Sequence, residues 1–427
     1  MRLLWITEYL PRPATTGSPI RSYQLVRRVA ARHEVWLACL SDGPPAQTEA
    51  AVEHLRTFCR DVCAVRTGAQ TALGQPLGVL RCLRRRIPLD HRFALARELE
   101  EHVRRTAAAV DFDAALVELT TMGAYIDLLP PDLQRRSLLA LHDVDHVRHR
   151  RNARLEPRRL RRLRLRLLAH QLRSYEPRVA GRYRWATAVS EADRQALLHL
   201  APGLRLGVLP NGVDTRANQP LPAHEGPPSL LFVGNMGARP NADAAVYFCG
   251  RVLPRVHRQA PEARLWIVGV DPLPEVQALA GPRVEVTGAV ASVAPYYAGA
   301  DVVVVPLRSG GGTRLKILEA MALGRAVVST TIGCEGLEVR HGEHLLVADE
   351  PGEMARHVLR LLAHPEERLA LAARARQLVE ERYDWDRIAL ELMARCAEAA
   401  DERSGRQQEG RRATVETAEA VDQGSAR

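Results

Sequence analysis

Lysine is almost absent from this 427-residue chain: of its 60 Lys and Arg residues, only Lys316 is a lysine. The basic character, a net charge of +10 with histidine neutral, is therefore carried by arginine. Such a surface attracts anions in general, from nucleotides to nucleic acid and anionic membranes, without choosing among them. Aromatic residues are scarce as well, at 4%. No basic segment is interleaved with aromatic side chains on which bases would stack, so nucleic acid is not expected as a partner. The seven cysteines are scattered and form no CxxC pair. Cys59 and Cys63 are four apart, but no His or Cys cluster completes a metal site, and reduced thiols in a cytosol are expected. No stretch approaches the ~20 apolar residues that span a bilayer, and the apolar run in MRLLWITEYLPRP is too short for a secretory signal. The expected location is cytoplasmic, at most peripheral to the inner face of a membrane.

What is present is alternation. Leu3 to Thr7 read as a buried strand, YLPRPATTGSPIRS as a loop, Ile20 to Ala31 as a helix and His33 to Leu40 as a second strand. This unit begins a doubly wound α/β sheet, in which ligands gather at the carboxyl ends of strands. Gly17 lies in such a loop, either as a ligand contact or merely as a turn. Further along, Ala51 to Phe58 and Phe93 to Val110 read as helices, and Val62 to Arg66 and Ala114 to Leu119 as strands. The strand Ser137 to Leu141 runs into His142 and Asp143. His142 can serve there as acid, base or hydrogen-bond donor, and Glu118 is a lesser candidate of the same kind. Residues 1–215 thus form one Rossmann-like domain. The segment Arg216 to Ser229, rich in proline and polar residues, is the expected linker. A second Rossmann-like domain occupies 230–384, the helix 385–400 is expected to pack back on the first, and 401–427 is a polar tail expected to be disordered.

The most informative stretch is DVVVVPLRSGGGTRLKILEAMALGRAVVST, residues 301–330. Val302 to Val305 make a fully apolar strand ended by Pro306. Gly310, Gly311 and Gly312 permit close backbone approach, and Thr313 can cap the following helix. The free amides of that helix, its dipole, and Arg308, Arg314 and Lys316 then converge on an anion, most simply a phosphate. Glu319 lies one turn beyond Lys316; the plainer alternative is a glycine turn with a surface Lys–Glu pair. The loop GNMGARPNADA, 234–244, repeats the pattern and adds Arg239. Between Arg148 and Arg184 the chain is dominated by arginine. Leu160, Leu163, Leu167 and Leu168 recur there at helical spacing. They read as core leucines under a solvated arginine face, or as a surface meeting anionic lipid.

Taken together, PNGVD (210–214), LFVGNMGARPNADA (231–244), PLRSGGGTRLKILEAMALGRAVVST (306–330), GCEGL (333–337), HLLVAD (344–349) and Tyr383-Asp384-Trp385 resemble the retaining GT-B glycosyltransferases of family 4. The resemblance is close over the C-terminal domain and loose over the N-terminal one. It implies two Rossmann-like domains about a cleft, a nucleotide-diphosphate sugar held by the second and an acceptor by the first. By resemblance, Glu319 meets the donor ribose and Arg308, Thr313, Arg314 and Lys316 line the diphosphate. Gly17 closes over it, and His142 stands near the reacting sugar. Many members carry a second glutamate eight residues before the first, and here that position is Gly311. No cofactor is implied beyond the sugar nucleotide as co-substrate, and no metal: the nearest Asp-x-Asp pair, Asp143-Val144-Asp145, falls on the domain opposite the diphosphate. Cell-envelope polysaccharide or glycolipid synthesis is the implied setting, with a carbohydrate or lipid-linked acceptor. The rival readings are a sugar-nucleotide epimerase or phosphorylase of similar architecture, and a basic binding protein without catalysis.

Overall fold

The protein is described by a computed structural model over residues 1–14, 17–67, 76–312 and 314–400. The tail 401–427 and Thr313 lie outside the described residues. Seven strands build the first sheet: β1 (Arg2–Thr7), β2 (Glu34–Ser41), β3 (Asp61–Arg66), β4 (Ala114–Glu118), β5 (Ser137–Ala140), β6 (Trp185–Ala188) and β7 (Leu206–Val208). Six build the second: β8 (Ser229–Val233), β9 (Arg264–Val268), β10 (Val284–Gly288), β11 (Val302–Val305), β12 (Ala326–Ser329) and β13 (Leu346–Val347). The strand orders are 3-2-1-4-5-6-7 and 10-9-8-11-12-13, so both sheets reverse direction of growth at one point, between β1 and β4 and between β8 and β11. Every strand pairing is parallel, with β11 in register with β12 from Val302↔Ala326 to Val305↔Ser329. The two reversal points are where open α/β sheets leave a crevice at the strand ends.

The cause is visible in the strands. All four residues of β11 are buried, as are all five of β4, because helices cover both sheet faces. Such strands read as continuous apolar runs rather than alternating ones. Helix boundaries follow capping chemistry more than apolar period. The helix read from Ala51 spans Pro45–Arg56, started by proline at its first turn. The region read as helix from Phe93 is a short 3₁₀ turn, Leu89–Ala94, followed by the helix Arg97–Ala109.

Two segments connect the domains, and they bond to each other. Val213 N–H donates to Tyr383 O at 2.8 Å and Trp385 N–H to Val213 O at 3.2 Å. A side chain on Gly212 would meet Tyr383 O at 2.6 Å, so the PNGVD glycine is required by this crossing. Arg28, from the helix Gly17–Ala30, reaches both Asp214 and Asp386. Beyond the crossing, the helix 385–400 places Trp385, Ile388, Leu392 and Cys396 in the N-terminal core with Leu3, Trp5 and Leu25. The segment 216–229 is laid along the C-terminal domain. Leu221 N–H donates to Leu323 O at 3.0 Å, and Arg325 to Pro222 O at 2.6 Å.

The arginine-rich region is two helices, Asp145–Leu155 and Arg159–Ala180, broken at Glu156 and Pro157. Of the four leucines read as core only Leu168 is buried, followed further along the helix by Leu172. Leu160, Leu163 and Leu167 are 83, 53 and 56% exposed, because the first half of the second helix stands clear of the sheet. Leu80 and Leu83, on the helix Pro76–Arg85, are exposed as well. Among the described residues no helix is long and apolar enough to cross a membrane.

Candidate functional site

On the C-terminal face of the crevice, two glycine loops flank the reversal point. The loop after β8 leads into the helix Arg239–Tyr247, and the loop after β11 into Leu315–Ala322. Lys316 extends from the second towards the first. Its ammonium donates to Asn241 Oδ1 at 2.9 Å and lies 4.6 Å from the centre of the Phe232 ring. A side chain on Gly234 would come within 2.6 Å of Nζ, so glycine there makes room for the ammonium. Desolvation, with Arg314 adding repulsion, pulls the Lys316 pKa down to about 7. Among the described residues no carboxylate is paired with it, which is unusual for a desolvated charge.

Arg314 occupies the N-cap position of the same helix, with no capping bond from its side chain. Its guanidinium folds over the loop and donates to Gly311 O, while Nε and Nη2 are buried without a partner among the described residues. Gly310 and Gly312 hold φ of +130° and +66°, left-handed geometry that suits glycine. Arg308 and Arg239 are placed differently. Arg308 is bonded to Asp243 at 2.6 and 3.0 Å and stacks on Tyr247, and Arg239 is paired with Glu275 at 2.7 Å. Both are engaged within their own domain, at exposed positions. Glu319 accepts from the Tyr297 hydroxyl at 3.0 Å, and burial raises its pKa against that bond.

On the facing side, Gly17 begins its helix across from the other domain: the atom nearest to a Cβ there is Leu315 Cδ1, at 4.0 Å. His142, just beyond β5, is buried with Nε2 3.4 Å from Glu118 Oε1 at the end of β4. Burial lowers the His142 pKa, so the ring is neutral at pH 7. Burial works against an ionised Glu118, but His142, the Ser22 hydroxyl and the Arg21 guanidinium outweigh it and hold the carboxylate ionised. Arg21 itself donates to Leu209 O and Pro210 O at 2.9 and 2.7 Å and to Asn211 Oδ1 at 2.9 Å. Ser22, Arg21 and Glu118 thus form the support behind His142. The position of Glu118 at a strand end was a signal for it; Arg21 and Ser22 look in sequence like any helix residues.

These residues back a cavity of about 330 Å³, lined by Glu8, His91, His142, Asp143, Arg148 and His149 among others. Burial brings His91 and His149 down to about 4, so the cavity presents neutral imidazoles among carboxylates. Leu119, on its wall, holds φ of +72°, strain of the kind that gathers at working sites. Asp145 is ion-paired with Arg148, and among the described residues no three His, Cys, Asp or Glu side chains are grouped to hold a metal.

The faces are joined at the glycine loop. Arg151 donates to Gly310 O at 3.0 Å and pairs bidentately with Glu335. A side chain on Gly311 would come within 3.0 Å of both Asp143 Oδ1 and Arg148 Cβ. The position where the resemblance expects a carboxylate is therefore walled by one from the opposite domain.

Known proteins resemble the chain in part of its sequence and in its fold. Residues 227–364 match the family model for glycosyl transferases group 1. The chain is 29% identical over 233 residues to phosphatidyl-myo-inositol mannosyltransferase of Mycolicibacterium smegmatis, covering 52% of this chain and 58% of the relative. It is 30% identical over 217 residues to the GDP-mannose-dependent alpha-(1-6)-phosphatidylinositol monomannoside mannosyltransferase of Mycobacterium tuberculosis, covering 45% and 55%. The chain thus spans about half the length of the curated relatives it matches. Over the whole fold it superimposes on sucrose-phosphate synthase of Thermosynechococcus elongatus with a TM-score of 0.65 at 20% identity, covering 92% and 98%. Anabaena HepE, solved with UDP and glucose, gives 0.62 at 16% identity, covering 93% and 100%. The architecture is GT-B.

Proposed function

We propose that this chain is a retaining glycosyltransferase of family 4, moving a sugar from a nucleotide-diphosphate sugar to an acceptor hydroxyl. The observation that carries the reading is Lys316: a desolvated ammonium between two glycine loops, with an amide and a ring for partners and, among the described residues, no carboxylate. A diphosphate supplies the missing charge. As the anomeric bond breaks, negative charge grows on the leaving diphosphate. Lys316, the unpartnered guanidinium atoms of Arg314 and the amides opening the helix Leu315–Ala322 stabilise it without solvent reorganisation. That electrostatic role needs no metal. Thr313 belongs to the same loop by sequence. Glu319 takes the donor ribose, and Gly17 closes over the diphosphate from the opposite domain. His142, neutral with Nε2 turned to the Glu118 carboxylate, leaves Nδ1 as a hydrogen-bond acceptor for a hydroxyl of the reacting sugar. Arg308 and Arg239 must exchange Asp243 and Glu275 for phosphate if they are to take part.

The acceptor lies on the N-terminal side. The named activities of the mycobacterial relatives concern phosphatidylinositol glycolipids, and envelope glycolipid or polysaccharide synthesis is the setting we favour. Leu160, Leu163 and Leu167 project among arginines, with Leu80 and Leu83 exposed on a second basic helix. A basic surface with exposed leucines fits an anionic leaflet, and a peripheral position on the cytoplasmic face is the location we favour. The test of the donor site is a thermal-shift series on the full chain with UDP, GDP and ADP and their sugars, since a ligand of the folded state raises Tm. One nucleotide series raising Tm is the expected result; no shift from any of them sinks the reading. Product analysis without acceptor separates transfer from epimerisation.

A further inference from the structure

We propose that Asp143, from the N-terminal domain, is the sugar-recognition carboxylate of the donor site, accepting a hydrogen bond from a hydroxyl of the sugar being transferred. The inference rests on the donor-site reading above and adds to it a contact from the opposite domain. Three observations support it. Asp143 is one of the residues where the two faces touch: its Oδ1 lies 3.0 Å from the position of a Cβ on Gly311 and 2.6 Å from one on Gly312. The carboxylate therefore occupies the space that side chains of the loop would fill.

Among the described residues Oδ1 is also buried without a hydrogen-bond partner, and Oδ2 lies 3.5 Å from Arg148 Nε. A carboxylate so placed lacks donors, and leaving a buried acceptor unmade is costly. The side chain is nonetheless 29% exposed and lines the 330 Å³ cavity, so a ligand there can reach it. Burial pushes its pKa up to about 7 against the pull of Arg148, which a hydroxyl donor would reverse.

Charge decides which part of the ligand this is. Arg314 and Lys316 attract the diphosphate, whereas a carboxylate repels it. A sugar ring brings hydroxyl donors and no charge. The donor molecule is thus oriented by opposite preferences at its two ends, phosphates on the cations and sugar towards Asp143.

The test measures two affinities on full-length protein by calorimetry: one for whichever of UDP, GDP or ADP raises Tm, the other for the matching nucleotide sugar. In Asp143→Ala, and more mildly in Asp143→Asn, affinity for the nucleotide sugar falls about tenfold or more, the scale of a hydrogen bond to a charged group. Affinity for the bare diphosphate is unchanged or rises, because a like charge has gone. A donor lacking the one hydroxyl that meets Asp143 binds wild type and Asp143→Ala alike. A merely structural role lowers both affinities together, and that result overturns the proposal. Unchanged sugar affinity in both variants overturns it too, while leaving the donor site standing. Failure of wild type to bind any of the three diphosphates removes both.

Discussion

The two faces of the cleft are built from opposite materials. On the C-terminal face the candidate groups are cations at the start of one helix, Lys316 and Arg314, with no carboxylate paired to the ammonium among the described residues. On the N-terminal face they are carboxylates and uncharged imidazoles around a cavity. On the function proposed above, the cationic face takes a ligand with concentrated negative charge and the other one with many neutral hydrogen-bond donors. A sugar nucleotide and a hydroxylic acceptor have these properties in that order. The family-model match falls on the C-terminal side, at residues 227–364. Diphosphate chemistry demands fixed loops and a fixed helix start, whereas hydroxyl groups can be met by many arrangements.

The comparison is broken most directly at Lys316. With the donor found by thermal shift, Lys316→Ala is expected to lower turnover about 10²–10³-fold while the protein stays folded, the scale of losing one preorganised charge-stabilising donor. Near-normal turnover would mean that the cationic face does not hold the leaving group. On the opposite face, His142→Ala is expected to lower kcat about 10²-fold with little change in diphosphate affinity. A loss confined to diphosphate affinity would move His142 to the wrong side of the cleft.

Smaller effects sharpen the division. Replacing Leu160 and Leu163 together by Asp should weaken cosedimentation with anionic phospholipid vesicles about tenfold or more, given what burying each leucine contributes. Equal binding by the variant, or equal binding to neutral vesicles, would confine the N-terminal face to soluble acceptors. Last is pH. The free Lys316 ammonium titrates at about 7, and a bound diphosphate favours its charged form, raising the pKa. Below pH 7 the proton is already present and affinity is flat on this account. Above it, binding must take up a proton, so affinity falls by up to about tenfold per pH unit until the pKa of the complex is passed. Lys316→Arg, charged throughout, should remove that slope, and an unchanged slope would assign it to another group.

Much of the scaffold was legible from residues alone. Val302 to Val305 announce a buried strand by being apolar throughout, and Gly310 to Gly312 before a helix announce a loop of unusual geometry. What was illegible depended on partners distant in sequence. Leu160, Leu163 and Leu167 keep helical spacing whether a helix lies on a sheet or stands off it, so period alone could not tell their exposure. Arg308 and Arg239 carry the right charge in the right loops, yet Asp243 and Glu275 lie close enough to claim them. Asp143 and Gly311 are 168 positions apart, and nothing local tells that one fills the space beside the other. The same holds for Arg21 beneath the PNGVD turn, where a motif that resembles a functional signature is occupied with joining the domains.

That joint has a mechanical consequence. Two chain crossings, bonded through Val213, Tyr383 and Trp385 and clamped by Arg28, define a line, where a single crossing would define only a point. A body held along a line keeps one easy rotation, and twisting or sliding must tear the strap. Cleft opening is thereby reduced to a single angle, like a door on two pins. Rotation about that line would swing the glycine loop away from Asp143, and the contacts of Arg151 with Gly310 O and Glu335 are what such a rotation must break.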